Sequence, residues 1–142
     1  MQKTSIHFNC VKVDSEAHNF RKKKFEYVKS DLSHKNEYWI EEKISNRLIK
    51  IENFCKTKSG RKLQKNAMPI REAVVVINED TSMLELQKLA SELEKKLKIR
   101  IFQIAIHKDE GHYDKNSKKW IPNYHAHLVA DWQDLETGKT LK

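Results

Sequence analysis

The sequence has few residues that break regular structure and no long apolar run. Its 142 residues include three glycines, two prolines and two cysteines. With 38% hydrophobic residues, so little glycine and proline argues against a disordered protein and predicts one ordered, helix-rich domain over residues 1–142. The lack of an apolar stretch at the N-terminus or elsewhere argues against secretion and membrane spanning, so a cytoplasmic location is expected.

The two cysteines, Cys10 and Cys55, are far apart in the chain, and both fall on apolar positions of their segments. This pattern predicts buried free thiols in a reducing compartment rather than a disulfide. The paired-cysteine motif of zinc deaminases is absent, which excludes that class of enzyme.

The charge balance points to a polyanionic partner. Twenty-eight lysines and arginines stand against twenty acidic residues, giving a net charge of +8. Such an excess attracts nucleic acid, although lysines also serve as solubilising surface, and the charge alone leaves both interpretations open. The basic stretch Lys56–Lys65 is expected to be an exposed connection that either contacts DNA or is simply solvated.

Hydrophobic periodicity predicts an α+β protein. An amphipathic helix is expected over Tyr38–Lys58, and a second begins at a Ser82 N-cap, with Glu85 completing a capping box, and ends near Leu97. Strands are expected over 3–13, 72–78, 99–107 and 124–132, with 72–78 covered on both faces because its apolar run is continuous. The order predicts a mainly antiparallel β-sheet with helices packed on one face, a two-layer sandwich.

The last two predicted strands carry the most informative residues. Phe102, Ile104 and Ile106 alternate with His107, while His125 and His127 share one face of the final strand. In a β-hairpin the end of the first strand lies beside the start of the second, so His107 is expected near His125. If the apolar residues face the helices, all three histidines lie on the open face.

Three imidazoles on one face predict a divalent metal site. Neutral imidazole suits Mn, Zn, Ni or Cu, and three protein ligands leave positions open for substrate oxygens. Such an ion can polarise a phosphoryl oxygen. The following Asp109 and Glu110 are candidates to orient a ligand or to act as general base. An isolated His-x-His is otherwise a pair of surface or core histidines, and a cupin, which also uses it, needs an all-β barrel.

A phosphoryl-transfer site also needs a nucleophile. Candidates are water, a tyrosine or His18, which is followed by Arg21 and three lysines in the segment HNFRKKK. An imidazole can attack phosphorus to give a covalent intermediate, and arginine can neutralise the phosphate. The tyrosines that qualify are Tyr27, Tyr38, Tyr113 and Tyr124.

These residues resemble the motifs of a known family. HKDE at 107–110 followed by HAH at 125–127 resembles the metal motif of the Mob/Pre (MobV-type) mobilisation relaxases of the HUH endonuclease superfamily. HNFR at 18–21 is similar to the family's N-terminal motif, and DLSHKNEYW around Asn36 is similar to its second motif. Two features depart from the pattern: Tyr124 replaces the usual proline, and the loop before it is long.

The resemblance implies an HUH-type fold and a DNA relaxase that nicks one strand at a transfer origin for conjugative mobilisation. His18 would be the nucleophile, joined covalently to the 5′ phosphate, with Arg21 as its phosphate partner and Glu110 as base or orienting group. His107, His125 and His127 would bind the metal, Mn first, with Mg, Zn or Ni as alternatives.

The implied partners are single-stranded origin DNA and the conjugation machinery of a helper element. Because family members continue well beyond the metal motif, the chain is expected to be a C-terminally truncated nuclease domain. Tyr113 and Trp120 are available to stack on unpaired bases. The expected DNA contacts are Arg21, Lys22, Lys23, Lys24, Asn36, Tyr113 and Trp120.

Two other functions stay open at this point. A replication initiator or transposase of the same superfamily would use a tyrosine as nucleophile. A non-catalytic basic DNA-binding module would carry its histidines without a metal.

Overall fold

A computed structural model of the chain describes residues 6–12, 14–22 and 27–141. Lys23 and Lys24, which the sequence predicts as DNA contacts, lie outside the described residues, as do residues 3–5 and 13 at the ends of the first predicted strand. Within the described ranges, no helix is long and apolar enough to cross a membrane.

Five strands form one antiparallel sheet, and two shorter strands pair separately. The strands of the main sheet are β1 (Phe8–Cys10), β2 (Glu37–Ile40), β3 (Ile70–Val76), β4 (Arg100–His107) and β7 (His125–Asp131). They lie in the order β1-β3-β7-β4-β2, and every pairing is antiparallel. Between β4 and β7 lie β5 (Gly111–Tyr113) and β6 (Trp120–Pro122). The α+β class with a mainly antiparallel sheet is confirmed.

Three α-helices and a 3-10 helix complete the fold. They are α1 (Ser15–Asn19), α2 (Ile44–Ser59), α3 (Met83–Leu97) and the 3-10 helix Ser30–Lys35. Helix α3 begins at the predicted cap, where the Ser82 hydroxyl accepts a hydrogen bond from the Glu85 amide at 3.2 Å. Its buried residues Leu86 and Ala90 close one face of the sheet by packing among the apolar side chains of β4 and β7.

Helix α2 begins six residues later than the periodicity predicts. Residues Glu37–Ile40 are extended instead and pair with Gln103–Ile106 as the edge strand β2. The prediction was wrong there because backbone pairing with a neighbouring strand outweighs a helical spacing of apolar residues, which only the tertiary structure reveals. The helix ends at Ser59, one residue beyond the expected Lys58, and Gly60 follows with a φ of 73°, the left-handed conformation that closes a helix.

The two long helices lie on opposite faces of the sheet rather than on one. Ile51 of α2 packs with Ile70, Phe102 and Val129, a core separate from the one beneath α3. A β-bulge between Ile101 and Gln103 turns Phe102 away from the face that Ile104 occupies. The expected alignment of Phe102 with Ile104 and Ile106 was therefore wrong, because alternation along a strand holds only where no residue is inserted.

Strand β3 is covered along one face, whereas its other face is covered only at its start and is exposed towards its end. Ala73 and Val75 are buried, whereas Val74 is 54% and Val76 is 69% exposed. The expectation of a strand covered on both faces was wrong, because α2 reaches only one end of its face of the sheet. Val74 and Val76 pair across from His127 and His125, so the uncovered valines lie beside the histidines.

The two cysteines are both free, but they differ in burial. Cys55 lies buried in α2, as expected, whereas Cys10 at the end of β1 is exposed. The expectation for Cys10 was wrong because this residue ends the short edge strand β1, outside the buried core.

We expect Phe102→Ala to lower the free energy of unfolding by about 3–5 kcal/mol, because Phe102 is fully buried between α2 and the sheet. Urea unfolding followed by circular dichroism measures this loss. Val76→Ala, at an exposed position of the same sheet, is the control and should cost less than about 1 kcal/mol. Equal losses for the two variants would contradict the second core.

Candidate metal and catalytic site

The candidate site lies where β4 ends and β7 begins. His107, the last residue of β4, pairs directly with His125, the first residue of β7. His127 lies two residues along β7 and therefore on the same face. The three imidazole rings lie with their centroids 4.8–5.2 Å apart. The expected open face is in fact covered by α1, so that His107 is fully buried and His125 and His127 are only 5% and 7% exposed.

Backbone carbonyls fix the orientation of two of the rings. Nε2 of His107 lies 2.7 Å from the carbonyl oxygen of Asn19, and Nδ1 of His125 lies 3.0 Å from that of Asn123. A carbonyl accepts only, so each of these nitrogens carries the proton and donates. The other nitrogen of each ring is left with a lone pair, which is the state a metal ligand requires.

A carboxylate fixes the orientation of the third ring, that of His127. Nδ1 of His127 lies 2.7 Å from Oε1 of Glu72 on β3, and the Asn19 side-chain amide donates to the same oxygen at 2.8 Å. His127 therefore keeps its lone pair on Nε2, and this buried nitrogen has no hydrogen-bond partner among the described residues. A carboxylate behind a histidine is a common support for a metal ligand, because it holds the tautomer and makes the ring more basic.

The free ring nitrogens converge on one point. Nδ1 of His107 and Nε2 of His125 lie 3.3 Å apart, although both carry lone pairs when the carbonyls hold the other nitrogens. Two lone pairs this close need a cation or proton between them, and the partnerless Nε2 of His127 adds a third donor. The residues present thus fit a divalent ion that favours nitrogen ligands. The groups whose ligand atoms all lie within 4.8 Å of one another are His18, His107, Glu110, His125 and His127.

Glu110 supplies negative charge to this cluster. Its Oε2 lies 3.0 Å from Nδ1 of His107, 3.1 Å from Nε2 of His125 and 3.5 Å from Nε2 of His18. The same oxygen accepts a hydrogen bond from Nη2 of Arg21 at 2.7 Å. Burial favours the neutral acid, but the polar contacts with His107, His125, His18 and Arg21 outweigh it and hold the pKa of Glu110 far below its usual range. The group is an anion at any physiological pH.

The histidines differ in how readily they take up a proton. Burial lowers the pKa of His107 and of His127, despite the acceptors that Glu110 and Glu72 provide. Burial also acts to lower the pKa of His125, but the hydrogen bond to Glu110 raises it overall. His107 and His127 are accordingly neutral at pH 7 and able to bind a metal.

His18 lies at the mouth of the cluster on α1. Its ring centroid is 5.4 Å from the centroids of both His107 and His127, and 19% of its side chain is exposed. Nδ1 is 3.0 Å from the hydroxyl oxygen of Tyr27, so the ring is held at both nitrogens. A cleft of about 570 Å³ opens here, lined by His18, Tyr27 and His127 and by the uncovered Val74 of β3.

Asp109 anchors the segment that carries His18. Its carboxylate is fully buried and accepts two hydrogen bonds from Arg21, at 2.9 Å from Nε and 2.6 Å from Nη2. It also accepts from the Ser33 hydroxyl at 2.7 Å and the Asn36 amide at 2.8 Å. Burial would raise the pKa of Asp109, but these donors lower it, so the group stays ionised. Asp109 thus anchors the segments that carry Arg21, Ser33 and Asn36. From the sequence it was a candidate general base or ligand-orienting group.

Arg21 and Asn36 are engaged within the protein rather than pointing to solvent. Arg21 adopts a φ of 55° and donates its remaining nitrogen, Nη1, to the His18 carbonyl at 2.9 Å. The side-chain oxygen of Asn36 accepts from the Lys108 amide at 2.7 Å, and its NH2 group also donates to Tyr38 at 3.1 Å. Both side chains therefore stabilise the structure of the site. Arg21 positions the backbone of His18, and Asn36 positions the backbone of Lys108.

Other predicted DNA contacts lie apart from the cluster. The long loop before Tyr124 is a two-stranded arm, in which Tyr113 of β5 pairs with Trp120 of β6. Lys22 is exposed at the end of α1, and His112 lies exposed on the arm. None of these residues belongs to the cluster of possible metal ligands.

Sequence reasoning missed three functional partners. Glu72 begins the run EAVVV, and a single carboxylate at the start of an otherwise apolar strand was a signal that could have found it. Asn19 accepts a hydrogen bond from His107 through its backbone carbonyl. Every residue has such a carbonyl, so the sequence cannot single this one out. Ser33 lies in a 3-10 helix whose docking onto Asp109 no local pattern predicts.

Solved structures that share this fold are known. The chain superposes on the MobM relaxase domain (MOBV; Mob_Pre), solved with Mn and a 22-nucleotide oriT DNA of plasmid pMV158, with a TM-score of 0.68 and 15% identity. The match covers 98% of this chain and 74% of that one. The chain has the relaxase fold.

A second relaxase-domain crystal structure, with Mn and DNA carrying a 3′ thiophosphate, matches with a TM-score of 0.65 and 14% identity over the same shares of the two chains. No protein-family model and no curated protein matches the sequence. The relaxase fold is therefore shared at low overall identity, in agreement with the fold that the motif resemblance implies.

We expect the protein to bind about one Mn²⁺ per chain and His127→Ala to abolish this binding, because His127 Nε2 has no other partner. Isothermal titration calorimetry measures it. Binding should weaken as the pH falls, because protons compete for the same lone pairs, first at His125, whose pKa is raised, and at lower pH at His107 and His127, whose pKa values are lowered. His112→Ala on the arm is the matched control and should bind normally; loss in both variants would contradict the assignment.

We expect Asp109→Ala to lower the free energy of unfolding by about 3–5 kcal/mol, because it leaves Arg21 buried without its main partner. Asp80→Ala, on an exposed turn, should leave stability within about 0.5 kcal/mol of the wild type. Urea midpoints compare the two, and a shift of similar size for Asp80→Ala would show that Asp109 has no special structural role.

Proposed function

We propose that this chain is the nuclease domain of a metal-dependent DNA relaxase, extending over residues 1–142. It would nick one DNA strand at a transfer origin by transesterification and remain joined to the 5′ phosphate through His18. The substrate would be single-stranded origin DNA in the cytoplasm, and the nicked strand would pass to the conjugation machinery of a helper element. Mn would be the first-choice metal, with Mg, Zn or Ni as alternatives.

The convergence of three oriented imidazoles beside His18 carries the proposal. His107, His125 and His127 direct lone pairs to one point, and the ring of His18 lies 5.4 Å from two of them. The fold shared with a Mn- and oriT-bound relaxase domain supports the same interpretation. A DNA-binding module with incidental histidines would not need each ring's second nitrogen to be held by a protein acceptor.

The chemistry assigns a separate task to each group. A metal held by His107, His125 and His127 would polarise a phosphoryl oxygen and stabilise the charge that develops on it. A ring nitrogen of His18 attacks phosphorus, so that an N–P bond forms while the bond from phosphorus to the 3′ oxygen breaks. The ring releases the proton of its other nitrogen, and the leaving oxygen takes up one proton to become the free 3′ hydroxyl, so the step is balanced. Glu110 faces Nε2 of His18 at 3.5 Å and orients the ring.

A tyrosine nucleophile is the second candidate, because the Tyr27 hydroxyl lies 3.0 Å from Nδ1 of His18. Burial and the nearby charge of Glu110 raise the pKa of Tyr27, and burial raises that of Tyr38. A raised pKa makes the phenolate harder to form, which disfavours both tyrosines as attacking groups. An imidazole nucleophile attacks through the lone pair of a ring nitrogen and needs no such anion.

We expect His18→Ala to abolish a covalent protein–DNA adduct that the wild-type chain forms with Mn²⁺ and an oriented origin oligonucleotide. Denaturing gel electrophoresis and peptide mapping detect the adduct and its attachment site. Tyr27→Phe and Tyr38→Phe should still form it, and His18→Ala should still bind Mn²⁺ through the remaining histidines. An adduct that survives in His18→Ala and disappears in a tyrosine variant would replace this mechanism with the tyrosine one.

A further inference from the structure

The arm formed by β5 and β6 leaves and rejoins the chain at the candidate site. Its first strand follows Glu110 directly, and the residue after its second strand, Asn123, holds the ring of His125 through its carbonyl. The Asn123 amide donates to the Glu110 carbonyl at 2.8 Å, which closes the base of the arm. Tyr113 lies three residues beyond Glu110, about 10 Å along an extended strand. A ligand bound to the arm would therefore lie close to the histidine cluster.

One face of the arm is an aromatic surface. Tyr113 and Trp120 are direct partners across the two strands, and their rings meet edge to face with centroids 5.0 Å apart. Tyr113 is 59% exposed, whereas Trp120 is half-buried over Gly111. A Cβ on Gly111 would collide with the Ile121 carbonyl and the indole ring, so the glycine is required for Trp120 to lie there. Trp120 thus packs beneath the surface, and the ring of Tyr113 is the part exposed to solvent.

Positive charge surrounds this surface. The ammonium group of Lys29 lies 5.5 Å from the Trp120 ring and 5.9 Å from the Tyr113 ring. At the tip of the arm, Asp114 accepts hydrogen bonds from the Ser117 amide at 2.8 Å and hydroxyl at 2.7 Å, which shapes a tight turn. The exposed lysines of that turn are Lys115, Lys118 and Lys119.

An exposed tyrosine with one lysine beside its ring and three more at the tip of the same arm has the chemistry of a single-stranded nucleic acid site. Each base offers a flat face for stacking, and each phosphate offers a negative charge, so aromatic and basic groups placed together recognise both. The exposed Tyr113 ring with lysines close by matches a base and its phosphate together, which favours a nucleic acid over a peptide. We propose that the arm holds one unpaired DNA base against Tyr113, with Lys29 and the tip lysines on the flanking phosphates. The proposal rests on the proposed function for its substrate and assigns that substrate a defined contact.

Oligothymidylate tests the proposal without using a transfer origin. The Mn-loaded chain is titrated with a fluorescein-labelled 20-mer of thymidylate and with a 20-mer of abasic deoxyribose phosphates, and anisotropy reports the affinity. Tyr113→Ala should weaken binding to thymidylate about tenfold and leave binding to the abasic strand unchanged. Tyr113→Phe keeps the ring and should bind as the wild type does. Unchanged thymidylate binding by Tyr113→Ala, or an equal loss on the abasic strand, would overturn the stacking contact.

The lysines have a separate readout. Replacing Lys115, Lys118 and Lys119 together by alanine should lower the salt dependence of binding, by about 0.7 in the logarithmic slope for each phosphate that these lysines neutralise in the wild type. The matched control replaces Lys88, Lys95 and Lys96 on α3, across the sheet from the site, and should leave the slope unchanged. Equal slopes for the two triple variants would contradict the role of the tip.

These outcomes are independent of the relaxase chemistry. Thymidylate has no transfer origin, so the affinities do not depend on a covalent adduct at His18. An arm that binds bases in a chain that forms no adduct would overturn the proposed enzyme and keep this contact. If the wild type and Tyr113→Ala form the adduct equally and bind thymidylate with equal affinity, the arm contact would be overturned and the proposed enzyme would stand.

Discussion

The buried carboxylate of Asp109 is the contact on which the candidate site depends. Between β1 and β2 the described residues form only the short helix α1 and the 3-10 helix Ser30–Lys35, yet this part of the chain delivers His18 to the edge of the histidine cluster. Asp109 holds it by accepting hydrogen bonds from Arg21, Ser33 and Asn36, which come from both ends of that excursion. A buried ion pair stabilises a structure only when its remaining hydrogen-bonding capacity is met, and here the additional donors meet it. The site is therefore assembled around a fully buried anion.

Charge and tautomer together make the cluster suitable for a metal. Three histidines this close would repel one another if protonated, and burial keeps His107 and His127 neutral. Carbonyl and carboxylate acceptors outside the cluster hold the proton of each ring away from the centre, so the inner nitrogens are preorganised as ligands. Glu110, held ionised by Arg21 and the histidines, adds the negative charge that favours a divalent cation. The arrangement needs little rearrangement to bind one.

The sequence predicted the parts of the fold that local periodicity governs. Helix α3 follows from its capping box and apolar stripe, and strands β4 and β7 follow from alternation, with their histidines on one face. Periodicity failed where long-range contacts decide. Tyr38 and its neighbours pair with β4 instead of starting a helix, and a bulge moves Phe102 to the second core. Val74 and Val76 are exposed because α2 does not extend over them, which no pattern within β3 can report.

The sequence by itself determined which residue types meet: strand period and hairpin geometry bring His107 beside His125 and His127, and the motif resemblance singles out His18. Only the tertiary structure decided how they are held. Glu72 lies on another strand, Asn19 acts through its backbone, and Arg21 turns inward to Asp109 although its sequence context suggests a phosphate contact. These partners are separated by 55 to 88 residues along the chain, so they depend on docking free energies that no local segment encodes. The same reason hid the arm, whose aromatic surface exists only once β5 and β6 pair.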